Sequence, residues 1–169
     1  MSQIPSTTTT QTPTPPAPET VIDNEFSLYT KTLTFNVIGR YDPKIDRLLY
    51  HTSHCVVYKF NDSQDWEQTD YQGVMAVYTR KKSEDDTDVD DIYDHGIIIM
   101  NRNTPENFSL GLLSKNDSRT LGLSEIKTEY QTDYIIIKNL EGEIFGFWVH
   151  EEQDREGIFA LIKAIVDRE

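Results

Sequence analysis

The spacing of hydrophobic and polar side chains changes rhythm twice along this chain. Over residues 24–38, NEFSLYTKTLTFNVI, apolar positions recur at intervals of three and four. At about 100° per residue they fall on two sides of one helix. Phe26, Tyr29, Leu33 and Val37 form one stripe, and Leu28, Phe35 and Ile38 form a second on nearly the opposite face. A helix resting on its own domain hides a single stripe, so the other predicts a docked partner. The competing expectation is a helix clamped between its domain and a loop. Gly39 reads as the end of this helix. Tyr41-Asp42-Pro43 then restarts the chain, with Asp42 as an N-cap and Pro43 at the first helical position. That predicts a short second helix through Leu48 and Leu49.

From His54 onward the period shortens. HCVVYKF, VMAVYTR, GIIIMNR, DYIIIKN and EIFGFWVH are short, rich in β-branched and aromatic residues, and divided by polar segments. Phe108–Leu113 and Ile126–Tyr130 are weaker strands, which brings the total to about seven. Asn61-Asp62-Ser63 and Glu141-Gly142 supply tight turns. Residues 81–95, KKSEDDTDVDDIYDH, hold seven acidic side chains and little apolar surface, and read as a long acidic loop between strands. At the C-terminus Ile158, Leu161, Ile162, Ile165 and Val166 make an amphipathic helix, widened by Phe159 and N-capped by Asp154. The predicted fold is mainly β: a seven-stranded antiparallel barrel of the pleckstrin-homology-like and EVH1 architecture. The C-terminal helix caps one end, and the N-terminal helix is an addition.

Composition sets the boundaries. Residues 1–20 contain seven threonines, five of the seven prolines and a single charged side chain, Glu19. Such a segment cannot bury enough apolar surface to offset the entropy of ordering it. The expected organisation is a disordered tail over 1–22 and one EVH1-like domain over 23–169. Within the tail, TPPAP favours polyproline geometry and is a candidate ligand, although a solvated tail is the plainer expectation. Across 169 residues, 29 acidic and 16 basic side chains give a net charge of −13. This disfavours broad phosphate-neutralising contact with nucleic acid and adhesion to anionic membranes. No apolar run is long enough to span a bilayer, MSQIPSTTTT lacks the marks of a secretory signal, and Cys55 is the single cysteine. A soluble, intracellular protein is the expectation.

Catalytic constellations do not emerge from the sequence. His51, His54, His95 and His150 have no metal-ligand frame around them. His51-Thr52-Ser53-His54 reads as a turn carrying two solvated imidazoles, and Cys55 as a buried, inert thiol. Asp86, Asp88 and Asp90 lack the glycine and terminal glutamate of a calcium loop. Arg80, Lys81 and Lys82 form a short basic patch, a candidate RNA contact but more simply a solvated strand end. The first turn, NDSQDWE, is acidic, against phosphoinositide binding. No metal or cofactor is expected. The aromatics are more informative. Alternation in the last strand sends Phe145, Phe147 and Val149 inward and Trp148 outward, beside Gly146. Tyr58 and Trp66 flank the first strand and its turn. Three outward aromatics would form a platform for proline rings; three core residues is the alternative.

FNVIGRYDPKIDRLLYHT, YKF with the following Trp66, YQGVMAVYTR, IIIMNR, PENFSLG and IIIKNLEGEIFGFWVH closely resemble the decapping protein 1 family of budding yeasts, small subunits of the mRNA-decapping complex. The resemblance spans nearly all of residues 25–169. It implies an EVH1-fold, non-catalytic activator of a Nudix enzyme that removes the m7GDP cap. EEQDREG at 151–157 does not have the glutamate order of a Nudix helix, so cap cleavage is assigned to the partner. The resemblance further implies that the N-terminal helix docks the catalytic subunit, with Leu28, Tyr29, Leu33, Phe35, Val37, Ile38 and Arg40 as contact candidates. Tyr58, Trp66 and Trp148 match the family's groove for proline-rich coactivators, and Asp42 is carried over with them. Messenger RNA would be reached only through the complex, in the cytoplasm and its P-bodies, with no membrane involved. The alternative function is an EVH1-type adaptor for proline-rich ligands outside mRNA decay.

Overall fold

The computed structural model describes residues 18–82 and 91–169, with side chains from Glu25 onward except Phe26. The expected tail therefore lies largely outside the described residues. In order, the elements are α1 (Pro18–Tyr41), β1 (Ile45–Phe60), β2 (Trp66–Arg80), β3 (His95–Asn101), β4 (Phe108–Leu112), α2 (Lys115–Thr120), β5 (Lys127–Gln131), β6 (Tyr134–Lys138), β7 (Ile144–Val149) and α3 (Glu152–Val166). All seven strands belong to one sheet, ordered β4-β3-β2-β1-β7-β6-β5, and every pairing is antiparallel. The sheet curls over itself, bringing Phe108 of β4 to 5.1 Å from Phe145 and 5.7 Å from Phe147 of β7. The main core fills this curl and is closed by Ile158, Ile162, Ile165 and Val166 of α3.

A second, smaller core lies on the outer face of the sheet. Ile38 of α1 is fully buried there with Ile45, Ala76, Tyr78 and Ile98, and Phe35 packs alongside. The run Ile97-Ile98-Ile99 follows from this. Ile97 and Ile99 point into the main core while Ile98 meets the helix, so the strand is apolar on both faces.

Several local expectations are corrected. Gly39 does not end α1, which runs on through Arg40 to Tyr41 and begins at Pro18, inside the expected tail. The stop comes from Pro43, which has no N–H to extend the helix; the last backbone bond runs from Asp42 N to Ile38 O at 2.8 Å. No second helix follows. Asp42 is not an N-cap: its side chain accepts from Lys44 N at 3.2 Å and its carbonyl from Ile45 N at 3.1 Å. This tight turn feeds Leu48 and Leu49 into β1, where pairing with β2 overrides local helical spacing. His51 to His54 are likewise inside β1, not on a turn. Asp154 sits in the first turn of α3 behind Glu151, and its carboxylate accepts from Tyr50 Oη at 2.7 Å and Thr52 Oγ1 at 2.8 Å. The acidic loop is not solvated throughout. Residues 83–90 lie outside the described residues, but Asp91 and Tyr93 are built into the fold.

Candidate binding surfaces

Two surfaces collect the residues singled out in the sequence. The first is α1. Ile38 is buried and Phe35 half-buried against the sheet, so the stripe carrying them faces the domain and Ile38 is removed from any docking face. Leu33 and Tyr29 of the other stripe are 50% and 65% exposed. Leu28 belongs by angle to the inward stripe, yet it is 67% exposed; the two inward residues that pack on the outer core, Phe35 and Ile38, lie nearer the C-terminal end of α1. Arg40 is exposed in the last turn, where its charge suits the helix dipole, and Val37 is half-buried between the two sides.

The foot of α1 is held by Arg80. Its Nε donates to Asp42 at 2.7 Å, Nη1 to Asp91 at 2.5 Å and to the Tyr93 carbonyl at 2.9 Å, and Nη2 to Asp42 at 3.2 Å and Asp91 at 2.8 Å. All five guanidinium donors are engaged. Tyr78 Oη adds a 2.8 Å bond to Asp42, and Lys44 a 2.9 Å pair to Asp91. The Arg80 hydrogen bonds, then Lys44, outweigh burial and hold the Asp91 carboxyl far below the usual carboxylate range. For Asp42 burial opposes ionisation, but Arg80 and Tyr78 prevail and its pKa is also lowered. Asp42 is thus committed to a clamp at the far end of β2 from Trp66, and its placement in the aromatic groove is corrected. Arg80 is likewise unavailable as part of a basic patch, while Lys81 and Lys82 are exposed.

The second surface lies on the outward face of β1, β7 and β6. Cross-strand register sets Tyr58 opposite Gly146, Gly146 opposite Ile136, and Trp148 between Val56 and Tyr134. Trp66 at the start of β2 folds across this face: a Cβ on Gly146 would stand 3.2 Å from its indole. Phe60 supports Trp66 edge-on at 5.1 Å, and Tyr58 meets Tyr134 edge-on at 5.6 Å. The result is a groove of about 280 Å³ lined by Tyr58, Trp66, Gln131, Thr132, Tyr134 and Ile136. Burial, then the neighbouring Tyr134, raises the Tyr58 pKa, so its hydroxyl stays protonated and able to donate. Tyr58 and Trp66 therefore line one groove. Trp148 stands on the same face opposite Tyr134, between Arg155, 5.6 Å from its ring, and His150 at 5.5 Å. Sequence reasoning missed Tyr134 and Ile136. Their signal was present: both fall in phase with Trp148, whereas Ile135 and Ile137 alternate into the core.

The remaining chemistry candidates are enclosed. Cys55 is fully buried and burial pushes its thiol up, which disfavours a nucleophile. His51 and His54 are partly buried rather than solvated, and desolvation lowers the pKa of each.

A sequence profile described as the Dcp1-like decapping family matches residues 30–164. The chain belongs to this family. It is 36% identical to mRNA-decapping enzyme subunit 1 of Eremothecium gossypii, over 84% of this chain and 90% of that protein. With the subunit of the same name from Saccharomyces cerevisiae the identity is 31%, over 86% and 92%. Among solved structures, the crystal structure of Dcp1p superposes with a TM-score of 0.71 at 40% identity, covering 80% of this chain and 92% of that one. The Dm DCP1 EVH1 domain, solved in complex with the XRN1 DBM peptide, superposes with a TM-score of 0.64 at 21% identity and shares the fold. The Dcp1-like chain is therefore an EVH1-fold protein of mRNA decapping, and both surfaces described above lie within or beside the matched span.

Proposed function

We propose that this protein is a non-catalytic activating subunit of an mRNA-decapping enzyme. The observation that carries the reading is the apolar stripe of α1 left uncovered by its own domain, with Tyr29 and Leu33 each at least half exposed. The Nudix catalytic subunit docks on this face, flanked by Arg40. The groove of Tyr58, Trp66 and Tyr134 takes proline-rich segments of coactivators, because flat ring faces fit the ridges of a helix that loses little entropy on binding. That the Dm DCP1 EVH1 domain was solved with a bound peptide supports peptide binding by this fold. Activation requires that the docked chain favour the active arrangement of the enzyme, since equal affinity for both arrangements shifts nothing. RNA is reached through the complex, in the cytoplasm and its P-bodies.

The test is to co-purify the full chain with the catalytic subunit and measure release of m7GDP from capped RNA. The complex is expected to outpace the catalytic subunit alone, and Leu33→Asp is expected to abolish co-purification while the melting temperature stays near that of the parent. Burying an unpaired carboxylate in an apolar interface costs several kcal/mol, at least about 3. A stable complex that cleaves no faster would remove the activator role. A folded Leu33→Asp protein that still co-purifies would remove the docking face.

A further inference from the structure

We infer that the Thr132–Asp133 turn, pinned by Arg155, is the part of the groove that fixes how a peptide seats: Thr132 is a specificity residue and Arg155 its positioning residue. The inference rests on the peptide-groove reading above. Gln131 pairs with Tyr134, so Thr132 and Asp133 are the whole connection between β5 and β6. Their φ values are +47° and +68°, both left-handed. Two positive φ angles define the hairpin turn that suits strand twist, and asparagine followed by glycine is its favoured sequence. A β-branched threonine there is an outlier, because its Cβ crowds the backbone. Strain of this kind persists where the surroundings over-determine it, and it gathers at ligand clamps. Here the strained residue lines the aromatic groove beside Tyr134.

The surroundings that hold it converge on one cation. Arg155, in the first turn of α3, is 9% exposed. Its Nε donates to the Val149 carbonyl at 2.7 Å, its Nη1 lies 3.7 Å from Asp133 Oδ1, and its guanidinium stands 5.6 Å from the Trp148 ring. A buried guanidinium is costly unless paired. Arg155 therefore faces the turn from behind through a long ion pair with Asp133, whose carboxylate is 62% exposed, and the same cation stands against Trp148 beside the groove. A turn that merely reversed the chain would need neither the strained threonine nor the buried anchor.

The experiment separates stability from binding, which this inference moves in opposite directions. Thr132→Asn replaces the β-branched residue by one that tolerates the left-handed conformation, and it leaves Asp133 facing Arg155. Fluorescence titration of the full-length protein uses two labelled probes, the XRN1 DBM peptide and decaproline, below every melting midpoint. Thr132→Asn is expected to melt higher than the parent yet bind the XRN1 DBM peptide about fivefold more weakly or worse, since the Thr132 side chain no longer lines the groove. Arg155→Lys is expected to weaken the same peptide without melting higher. A Thr132→Asn variant that melts higher and binds both probes within about twofold of the parent overturns the inference. Trp66→Ala reports on the groove itself. If it loses both probes while the turn variants keep them, only this inference fails; if it binds like the parent, the groove reading falls and takes the inference with it.

Discussion

Arg80 shows what a single residue decides in this fold. Asp42 follows α1 and Asp91 follows the acidic stretch, and their carboxylates meet on one guanidinium at the end of β2. Removing one acid leaves a largely buried cation short of acceptors, so Asp91→Ala is expected to destabilise the protein by about 1–3 kcal/mol near neutral pH. The pH dependence follows from the depressed Asp91 pKa. Because the folded protein holds the carboxylate ionised more strongly than the unfolded chain does, this stabilisation is complete above the unfolded value. It is lost as the pH falls below about 4 and the folded carboxylate takes up a proton. Urea melts of parent and variant at neutral and acid pH check this; a difference that grows on acidification would contradict the sign.

At the scale of elements, two isoleucine runs meet different fates. Ile98 of the first is covered by α1, and Ile136 of the second lines the open groove. The sheet is apolar on its outer face in both places, and what differs is whether a helix lies over it. The two stripes of α1 are likewise unequal. Ile38→Ala is expected to cost about 2–5 kcal/mol, as a cavity in a closed core does. Leu33→Ala, at a half-exposed position, is expected to stay within about 0.5 kcal/mol. Thermal melts of the two variants decide between them, and a Leu33→Ala protein destabilised as much as Ile38→Ala would mean that both stripes are packed.

For the molecule as a whole, the acidic stretch divides into two parts. Deleting residues 83–90 removes Glu84, Asp85, Asp86, Asp88 and Asp90, moving the formal charge from −13 to −8. Shortening the chain between Lys82 and Asp91 by eight residues changes loop entropy little, so the melting temperature is expected to shift by only a few degrees. Extending the deletion to Asp94 is expected to be far more damaging. It takes away Asp91 from Arg80 and also Tyr93, whose ring fills the space where a Cβ on Gly111 would stand, only 2.3 Å away. Differential scanning calorimetry of the two deletions separates these outcomes.

The sequence by itself determined the elements that bury one face in one period. The strands from Cys55 onward and the helix of Ile158, Ile162 and Val166 were legible because alternation and helical spacing record which side chains leave water. The two apolar stripes on α1 were legible for the same reason, and Tyr58 and Trp66 were singled out by the family resemblance. Periodicity gives the angle between stripes but not which one meets the sheet; that required the outer core around Ile98. Leu48 and Leu49 became strand residues because β2 was there to pair with them, against their local spacing. Asp42 and Asp154 read as local caps and Arg155 was not singled out, yet their partners are Arg80, Tyr50 and Asp133, far away in the chain. Hydrogen bonds and ion pairs between distant segments leave no periodic trace in sequence, so only the tertiary structure could assign them.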